Sequence, residues 1–303
     1  MRETKEQKRK FQFRGSRTKS TLIIVAVLAV YVVSVHLNFR PIFTILTALV
    51  SARATYELIH AVGGRSRLLF TVSSVFSAAY VAVVSYQIPV PQPAVILSFY
   101  MLLLLVLTVA LNRTIKYIDA VMAFFGSVCV TYALSCFIRL NDLPRLNARF
   151  THLEGLYLFW IAFICSWVTD VFAFLVGRKC GKHKMSPHIS PKKSWEGAIG
   201  GVLITAAINV LVMLGYTLVA TKVMGYTYFM MESGIKYLYV FLISCALSIV
   251  SMFGDLAASV LKRNVGIKDY SNILPGHGGI MDRFDSCTFV LPVLWGIYSL
   301  IYG

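Results

Sequence analysis

The chain has 303 residues, of which 57% are hydrophobic and 14% are charged, and its formal net charge is +16. Soluble domains carry roughly a quarter charged residues, so this composition excludes an ordinary soluble protein. The six cysteines form no C-x-x-C pair, and they support neither a disulfide framework nor a structural zinc site.

Long apolar runs recur along the whole chain and predict an all-α polytopic membrane protein with about nine transmembrane helices. Runs such as 21–37, 94–111 and 237–253 approach or reach the length of about 18 residues that crosses a hydrocarbon layer of about 30 Å. The first run has no small-residue cleavage site after it and is closely followed by a second run, so we do not interpret it as a signal peptide. The predicted spans are 21–38, 40–60, 68–88, 94–111, 118–138, 154–176, 197–220, 236–254 and 286–302.

The distribution of Lys and Arg predicts a cytoplasmic N-terminus. Eight of these residues lie within the first 20 positions, before the first span. With that end inside, the predicted inner segments hold 22 Lys and Arg and the outer segments hold six, while Arg53 lies within a span. This asymmetry follows the positive-inside rule. We therefore expect the basic surface to contact anionic lipid headgroups, and we expect no nucleic acid partner.

No internal repeat or low-complexity linker is visible, so we expect one membrane domain. We divide it into a basic cytoplasmic tail over 1–20, N-terminal spans 1 to 5 over 21–153, and a C-terminal catalytic region with spans 6 to 9 over 154–303. The expected location is the cytoplasmic membrane, with the active site facing the cytoplasm.

The acidic residues are few, and six of the 13 fall in two stretches on the predicted inner side. A charge within a span costs about 2.5–3.5 kcal/mol on insertion scales, so it needs a partner or a function. For others near span ends, such as Glu57, Asp142 and Glu154, a solvated position is a sufficient explanation. The six in the two stretches are Asp170, Glu196, Asp255, Asp269, Asp282 and Asp285.

The first stretch covers 170–197. On a helix, Asp170 and Gly177 share a face, with Arg178 beside them. The loop that follows offers glycines, hydroxyls and basic side chains, which are the groups that bind phosphate. An ordinary basic inner loop fits the same residues equally well. The candidate phosphate- or nucleotide-binding residues here are Asp170, Arg178, Lys182, Ser190, Lys192, Lys193 and Glu196.

The second stretch begins at the predicted end of the eighth span. Asp255, Ser259 and Lys262 are spaced i, i+4, i+7, so a helix would align a carboxylate, a hydroxyl and an ammonium on one face. Arg263 follows directly and adds a second cation. This face predicts a site for a phosphate with a bound cation.

A His-Gly-Gly turn at 277–279 precedes the ninth span. It predicts free backbone N–H groups and a helix N-terminus directed at an anion. Asp282 and Asp285 would project from one side of the first helical turn, where they suit a hard cation such as Mg²⁺. A lone Asp at such a place is usually a helix cap, but a cap explains too little beside the neighbouring Lys, Arg and glycines.

The run 259–285, S-V-L-K-R-N-V-G-I-K-D-Y-S-N-I-L-P-G-H-G-G-I-M-D-R-F-D, resembles the signature of phosphatidate cytidylyltransferases, also called CDP-diacylglycerol synthases. The stretch 170–197 resembles a second conserved block of that family. The earlier spans match only in hydrophobic character and number. The departures are mild and concern local packing: Phe174 for Tyr, Cys180 for Phe, Ser194 for Thr, and Ala258 for Glu.

The resemblance implies that CTP and phosphatidic acid react to give CDP-diacylglycerol and pyrophosphate, with Mg²⁺ as cofactor. Asp255 and Asp282 resemble the metal-binding carboxylates of the family. Gly278 and Gly279 join the phosphate-binding candidates. Homodimer formation and a second, monovalent cation are further properties associated with the family. The remaining residues at catalytic motif positions are Ser259, Lys262, Arg263, His277, Arg283 and Asp285.

The expected mechanism is in-line attack of a lipid phosphate oxygen on the α-phosphorus of CTP. Cationic side chains would hold phosphate oxygens in a partly dry site, where such contacts are stronger than in water. No general base is required, because phosphatidate is already ionised at pH 7. We therefore expect His277 to contact a phosphate or to have a structural role.

Two other function classes remain open from the residues. A CTP-dependent lipid kinase of the polyprenol or phytol type would transfer the γ-phosphoryl group and release CDP, and a close variant of the synthase would use an ether lipid phosphate. A transporter of a phosphorylated solute is the alternative from a different class. Transporters often show inverted repeats and sites at the bilayer midplane, whereas this chain has no visible repeat and its charges gather at one face.

Overall fold

The computed structural model describes residues 21–22, 25–37, 39–62, 66–87, 93–147, 150–187, 189–225, 230, 234–274 and 278–302. The predicted basic tail and His277 lie outside these residues. Within the described residues, regular structure is helical apart from one two-stranded hairpin and an isolated bridge.

Twelve α-helices follow one another along the described chain. Two short π-helical segments continue them: Ile164–Val168 joins α7 to α8, and Val219–Val223 extends α9. Strands β1 (Lys184–Ser186) and β2 (Ser190–Ser194) are antiparallel. The helices are α1 (Val25–His36), α2 (Arg40–Ala61), α3 (Arg67–Tyr86), α4 (Pro93–Ala110), α5 (Tyr117–Asn141), α6 (Leu143–Leu146), α7 (His152–Phe163), α8 (Thr169–Cys180), α9 (Trp195–Leu218), α10 (Lys236–Asn264), α11 (Met281–Phe284) and α12 (Cys287–Tyr302).

Six helical stretches are long and apolar enough to cross a membrane among the described residues. They are α2, α3, α5, the continuous stretch from α7 to α8, α9 with its π-helical extension, and α10. Three shorter apolar helices, α1, α4 and α12, lie where three further spans were predicted. The all-α membrane class is therefore supported. The total of nine spans and the side of the N-terminus stay predictions.

Helix α10 continues beyond the predicted eighth span to Asn264, so Asp255, Ser259 and Lys262 lie on a helix, as their spacing predicted. The intervening residues are compatible with a helix, and Gly266, with φ +74°, follows its end. The stretch predicted as an open basic loop contains the β1–β2 hairpin, with Lys184 paired to Ser194.

The chain forms two compact units. The first comprises residues 1–131 and 265–284, and the second comprises 132–264 and 285–303. Helix α5 contributes to both. The division is discontinuous in sequence, because residues 265–284 return to the unit that the N-terminal helices build.

Hydroxyl groups join the helices of the first unit. The Ser77 hydroxyl lies 2.6 Å from Ser51 Oγ and accepts hydrogen bonds from Thr55 at 3.1 Å and Thr131 at 2.7 Å. Such interhelical hydrogen bonds stabilise membrane helices by about 0.6 kcal/mol each on average. The first unit also has an apolar core, formed by Ile59, Leu69, Phe70, Tyr100, Leu104, Ile115 and Ala123.

Close helix packing characterises the second unit. A Cβ on Gly197 would lie 2.5 Å from the Ala173 carbonyl oxygen, so α9 approaches α8 at a distance that only glycine allows. The Thr169 hydroxyl donates to Thr205 at 3.2 Å and to Ser248 at 3.0 Å, which joins α8, α9 and α10. Small residues and short polar bridges are the usual means of packing membrane helices.

Candidate active site

Three carboxylates of the second unit lie close to two lysines, and we call Asp170, Asp255 and Asp285 the acidic cluster. Lys193 Nζ is 2.5 Å from Asp255 Oδ2 and 4.0 Å from Asp170 Oδ1. Lys262 Nζ is 3.6 Å from Asp285 Oδ2. The fold thus gathers five charged side chains from α8, β2, α10 and the turn before α12.

Asp285 is the most enclosed carboxylate of the acidic cluster, with 7% of its surface exposed. Burial raises the pKa of Asp285 to about 7, the nearby Asp255 carboxylate adds to the increase, and Lys262 opposes it. The Ser286 backbone N–H donates to Asp285 Oδ1 at 2.8 Å and also favours the ionised form. Burial and the neighbouring Asp255 carboxylate therefore disfavour ionisation of Asp285 more than Lys262 favours it.

The β1–β2 hairpin places Lys193 beside the acidic cluster. The residue after Lys193, Ser194, caps α9 by accepting a hydrogen bond from the Gly197 N–H at 3.2 Å. Glu196 accepts from the backbone N–H groups of Lys182 at 3.1 Å and His183 at 3.2 Å. These bonds fasten both strands to the start of α9, so the position of Lys193 is fixed by local structure.

Two features of the first stretch have a structural explanation that differs from phosphate binding. Glu196, a predicted nucleotide contact, also pairs with the His183 ring at 2.6 Å and holds the hairpin. A Cβ on Gly181 would lie 2.3 Å from the Gly177 carbonyl oxygen. The glycines therefore allow close packing of the chain.

The other predicted site residues of the second unit are more exposed than Lys262 and Asp285. Arg178, Lys182 and Lys192 are exposed, and Ser190 and Ser259 are half-buried. Within the described part of the chain, no hydrogen bond or ion pair joins these residues to the acidic cluster. The structure therefore brings together Asp170, Lys193, Asp255, Lys262 and Asp285 among the sequence-predicted residues of the second unit.

Most of the signature run, residues 265–284, belongs to the first unit, and its described residues, 265–274 and 278–284, are called the signature segment. Asp282 Oδ2 accepts hydrogen bonds from the Tyr270 N–H at 2.8 Å and the Gly279 N–H at 2.9 Å. The expectation that the glycine turn leaves its N–H groups free for an anion is therefore wrong for Gly279. Gly278 has φ +78°, a conformation that favours glycine.

Arg263 and Arg283 are predicted phosphate contacts, and both are exposed. Arg263 lies in the last turn of α10 in the second unit, and Arg283 lies in the one-turn helix α11 of the first. His277 lies outside the described residues, so its predicted role stays a prediction.

Glu57 is a buried acidic residue that the sequence analysis did not select. Its exposed fraction is 1%, so the solvated position expected for it is wrong. The carboxylate accepts from Ser271 Oγ at 2.7 Å, the Met281 N–H at 2.9 Å and Arg53 Nε at 3.0 Å. The available signal was the Arg53–Glu57 spacing of i, i+4 within an apolar run, which marks a charge pair in a span.

Asp142 and Glu154 are also buried, at 5% and 7% exposure, so the solvated position expected for them is wrong as well. Asp142 Oδ1 lies 3.6 Å from Arg145 Nη1. Glu154 accepts from the Thr151 N–H at 2.6 Å and completes a capping box at the start of α7. Both carboxylates therefore have local structural partners.

The carboxylates of the acidic cluster fit Mg²⁺ only if substrate and water supply the remaining ligands. Among the described residues, no three His, Cys, Asp or Glu side chains converge to hold a metal ion. Mg²⁺ is usually held by one or two protein carboxylates together with water and substrate phosphates. The acidic cluster fits that mode, since its carboxylates lie beside the ammonium groups of Lys193 and Lys262, a type of group that suits substrate phosphates. The predicted ligands Asp255 and Asp282 belong to different units, so their pairing stays a sequence prediction.

Comparison with known proteins tests the resemblance directly. The sequence profile described as "Cytidylyltransferase family" matches residues 15–301. Several relatives carry the name "Phosphatidate cytidylyltransferase", and three of them are compared with the chain. That of Bacillus subtilis (strain 168) is 35% identical over 202 residues, which are 67% of this chain and 66% of the relative.

The relative from Staphylococcus haemolyticus is 44% identical over 144 residues, 48% of this chain and 50% of the relative. That from Rickettsia bellii is 32% identical over 204 residues, 67% of this chain and 80% of the relative. The chain thus matches half of one relative, just under two thirds of another and four fifths of the third. Because the profile covers nearly the whole chain, the predicted resemblance is confirmed and the chain belongs to the cytidylyltransferase family.

Proposed function

We propose that the chain transfers the cytidylyl group of CTP to phosphatidic acid, giving CDP-diacylglycerol and pyrophosphate for phospholipid synthesis. The observation that carries the proposal is the acidic cluster with Lys193 and Lys262, in a membrane-type chain of this family. The relatives are named for the same activity, which supports the choice of substrates.

In the proposed reaction, a phosphate oxygen of the lipid forms a bond to the α-phosphorus of CTP. The bond between that phosphorus and the oxygen that bridges to the β-phosphate breaks, and pyrophosphate leaves with the electron pair. Both reactants are anionic, so repulsion and the charge on the leaving group dominate the barrier. No side chain has to remove a proton, because the attacking phosphate is already ionised near pH 7.

Lys193 and Lys262 are suited to hold phosphate oxygens. Lys262 is 8% exposed and the Lys193 side chain is 20% exposed, so both ammonium groups act in a partly dry environment. On substrate binding, each would exchange part of its contact with a carboxylate for a phosphate oxygen. The exposed Arg263 and Arg283 are further proposed phosphate contacts.

Mg²⁺, when bound, would neutralise the triphosphate and favour departure of pyrophosphate. Asp255 and Asp282 are its proposed ligands, and for this pair the support is the sequence motif. Asp285 and Asp170 would supply negative charge nearby. The second, monovalent cation and the homodimer are proposals that rest on the family resemblance alone.

The proposed orientation has nine spans, a cytoplasmic N-terminus and both motif stretches on the cytoplasmic side. The unequal distribution of Lys and Arg, 22 on predicted inner segments against six on outer ones, supports it. It also agrees with chemistry, because CTP is a cytosolic substrate while the acyl chains of the lipid stay in the bilayer.

The test is product analysis with the purified protein, phosphatidic acid and CTP labelled at the α-phosphorus, with and without Mg²⁺. Label that enters a lipid only when the metal is present supports the proposal. Label released as CDP, with none in lipid, contradicts it and indicates a lipid kinase. Absence of turnover with both ester and ether lipid phosphates would overturn the enzymatic proposal.

A further inference from the structure

The geometry points to Glu57 as a positioning residue of the proposed active site. Its buried carboxylate on α2 holds the signature segment in the shape that presents Asp282. The consequence for catalysis rests on the proposed function, whereas the consequence for the segment's structure does not. Glu57 lies outside both motif stretches, and it is 214 residues before Ser271 in sequence.

Glu57 connects two places in the signature segment. Its Oε1 accepts from the Ser271 hydroxyl at 2.7 Å, and its Oε2 accepts from the Met281 N–H at 2.9 Å. Arg53 Nε, one helical turn earlier, donates to Oε1 at 3.0 Å and supplies the balancing charge. A carboxylate buried with three donors is a fixed anchor, because each lost bond would leave a charged group poorly compensated.

Asp282 depends on the same part of the chain. Its Oδ2 accepts hydrogen bonds from the N–H groups of Tyr270 and Gly279. Tyr270 is next to Ser271 in sequence and Gly279 is two residues before Met281, and Glu57 binds both Ser271 and Met281. A Cβ on Gly279 would lie 2.3 Å from Glu57 Oε2, so the backbone passes directly over the carboxylate. A displacement at Glu57 therefore moves the donors that orient Asp282.

Replacement of Glu57 by glutamine separates this role from packing. Glutamine keeps the size of the side chain, but its amide group replaces one acceptor oxygen with a donor. That donor would face either Arg53 Nε and the Ser271 hydroxyl, or the Met281 N–H. Hydrogen bonds to charged groups contribute about 1.5–3 kcal/mol, so we expect loosening of the segment by tenfold or more in local opening.

The experiment is amide hydrogen exchange on the full chain in detergent, followed by mass spectrometry of peptides that cover 265–284. We expect Glu57→Gln to speed exchange in this segment by about tenfold relative to the wild type. The matched control is Thr55→Val. Thr55 is fully buried on the same helix, and its hydroxyl donates to Ser77, away from the signature segment. It should leave exchange in 265–284 unchanged.

Activity measurements on the same proteins test the catalytic consequence. We expect Glu57→Gln to raise the Mg²⁺ concentration for half-maximal rate by about tenfold and to lower kcat, with little change in KM for phosphatidic acid. Ser271→Ala removes the hydroxyl of the signature segment that donates to Glu57. This variant provides the same test if Glu57→Gln does not fold. Its effect should be smaller in the Glu57→Gln background than in the wild type, because both substitutions weaken the same anchor.

The outcomes distinguish this inference from the proposed function. Unchanged exchange in both Glu57→Gln and Ser271→Ala would overturn the positioning role, whatever the activity. Faster exchange with unchanged kcat and Mg²⁺ dependence would show that the anchor is structural only. Faster exchange in a protein whose wild type transfers no cytidylyl group would leave the structural role standing and reject the proposed function.

Discussion

The acidic cluster and the signature segment both hold carboxylates, but they compensate the negative charge in different ways. In the acidic cluster, the partners include the ammonium groups of Lys193 and Lys262. In the signature segment, Asp282 Oδ2 accepts from two backbone N–H groups, and Glu57 is held by a backbone N–H, a hydroxyl and Arg53.

The difference has a chemical meaning. A lysine ammonium is a compact charge on a flexible stem, so it can exchange a carboxylate for a phosphate without rearrangement of the chain. A backbone N–H can change partner only if the chain moves. We infer that the acidic cluster is built to exchange ligands and that the signature segment is a fixed frame. Four substitutions test this distinction, here in order of decreasing effect.

Asp255→Asn should have the largest effect, a loss of about 100- to 1,000-fold in cytidylyl transfer. Removal of one preorganised electrostatic group from a reacting site typically has this magnitude. The size of the side chain is kept, so the midpoint of thermal unfolding in detergent should change little. The measurement is transfer of label from CTP into lipid. Asp119→Asn is the control, because Asp119 is half-buried and its carboxylate accepts only a local hydrogen bond among those described, from the Lys116 N–H. Retention of near wild-type transfer by Asp255→Asn would contradict the proposed site.

Gly279→Ala should lower activity by a similar or slightly smaller factor, but indirectly, because it displaces the signature segment. The added methyl would meet Glu57 Oε2 at 2.3 Å and Ser271 Oγ at 2.8 Å, so the signature segment has to shift. Overpacking of this kind typically costs about 1–3 kcal/mol of unfolding free energy. Both activity and denaturant unfolding should change together.

Gly215→Ala provides the matched control for that substitution. Gly215 lies within α9, and a Cβ there meets nothing within 4 Å. Alanine is favoured over glycine in a helix interior by roughly 0.5–1 kcal/mol, so this variant should be as stable as the wild type or more so. Equal behaviour of the two variants would show that the signature segment is not a tight frame.

Lys193→Met should lower activity by roughly 10- to 100-fold and raise KM for CTP, because it removes a proposed phosphate contact and an ammonium group that lies beside Asp255 and Asp170. Lys184→Met on the same hairpin is the control, since Lys184 is exposed. Steady-state kinetics at varied CTP measure both. If Lys193→Met changed stability but not KM for CTP, the ammonium group would be only a structural counter-ion. That result would contradict the proposal that Lys193 exchanges a carboxylate for a phosphate oxygen.

Ser194→Ala should have the smallest effect, mainly on stability. It removes the side chain that caps α9 through the Gly197 N–H, and loss of such a cap costs about 1 kcal/mol. Thermal unfolding in detergent measures the change. Ser299→Ala is a suitable control, because that hydroxyl donates to the Trp295 carbonyl of its own helix. A large loss of kcat in Ser194→Ala would show that the hairpin must also be held in a fixed position for catalysis.

The sequence predicted features that depend on local periodicity. Apolar runs predicted where the described helices lie, with errors of a few residues at most ends, because length and hydropathy alone determine a span. The spacing of Asp255, Ser259 and Lys262 predicted one helical face, and all three lie on α10.

Features that depend on distant contacts were not predictable. Nothing around Glu57 shows that its partners are Ser271 and Met281, which come more than 200 residues later. The β1–β2 hairpin lacks an alternating apolar pattern, so its strands resembled a basic loop. Glycines that permit helix packing and glycines that bind phosphate look alike in sequence, and only contacts such as that of Gly197 with Ala173 distinguish them.

The discontinuity of the first unit has a consequence for biosynthesis. Glu57 enters the membrane early, but Ser271 is synthesised 214 residues later, on the order of 10–40 s at typical ribosomal speeds. During that interval Arg53, already in place one turn away, is the nearest available countercharge to a carboxylate within a candidate span. The pair should therefore matter for insertion of α2 before it matters for the finished protein. Loss of Arg53 would then lower the yield of inserted chains more than the stability of those that complete folding.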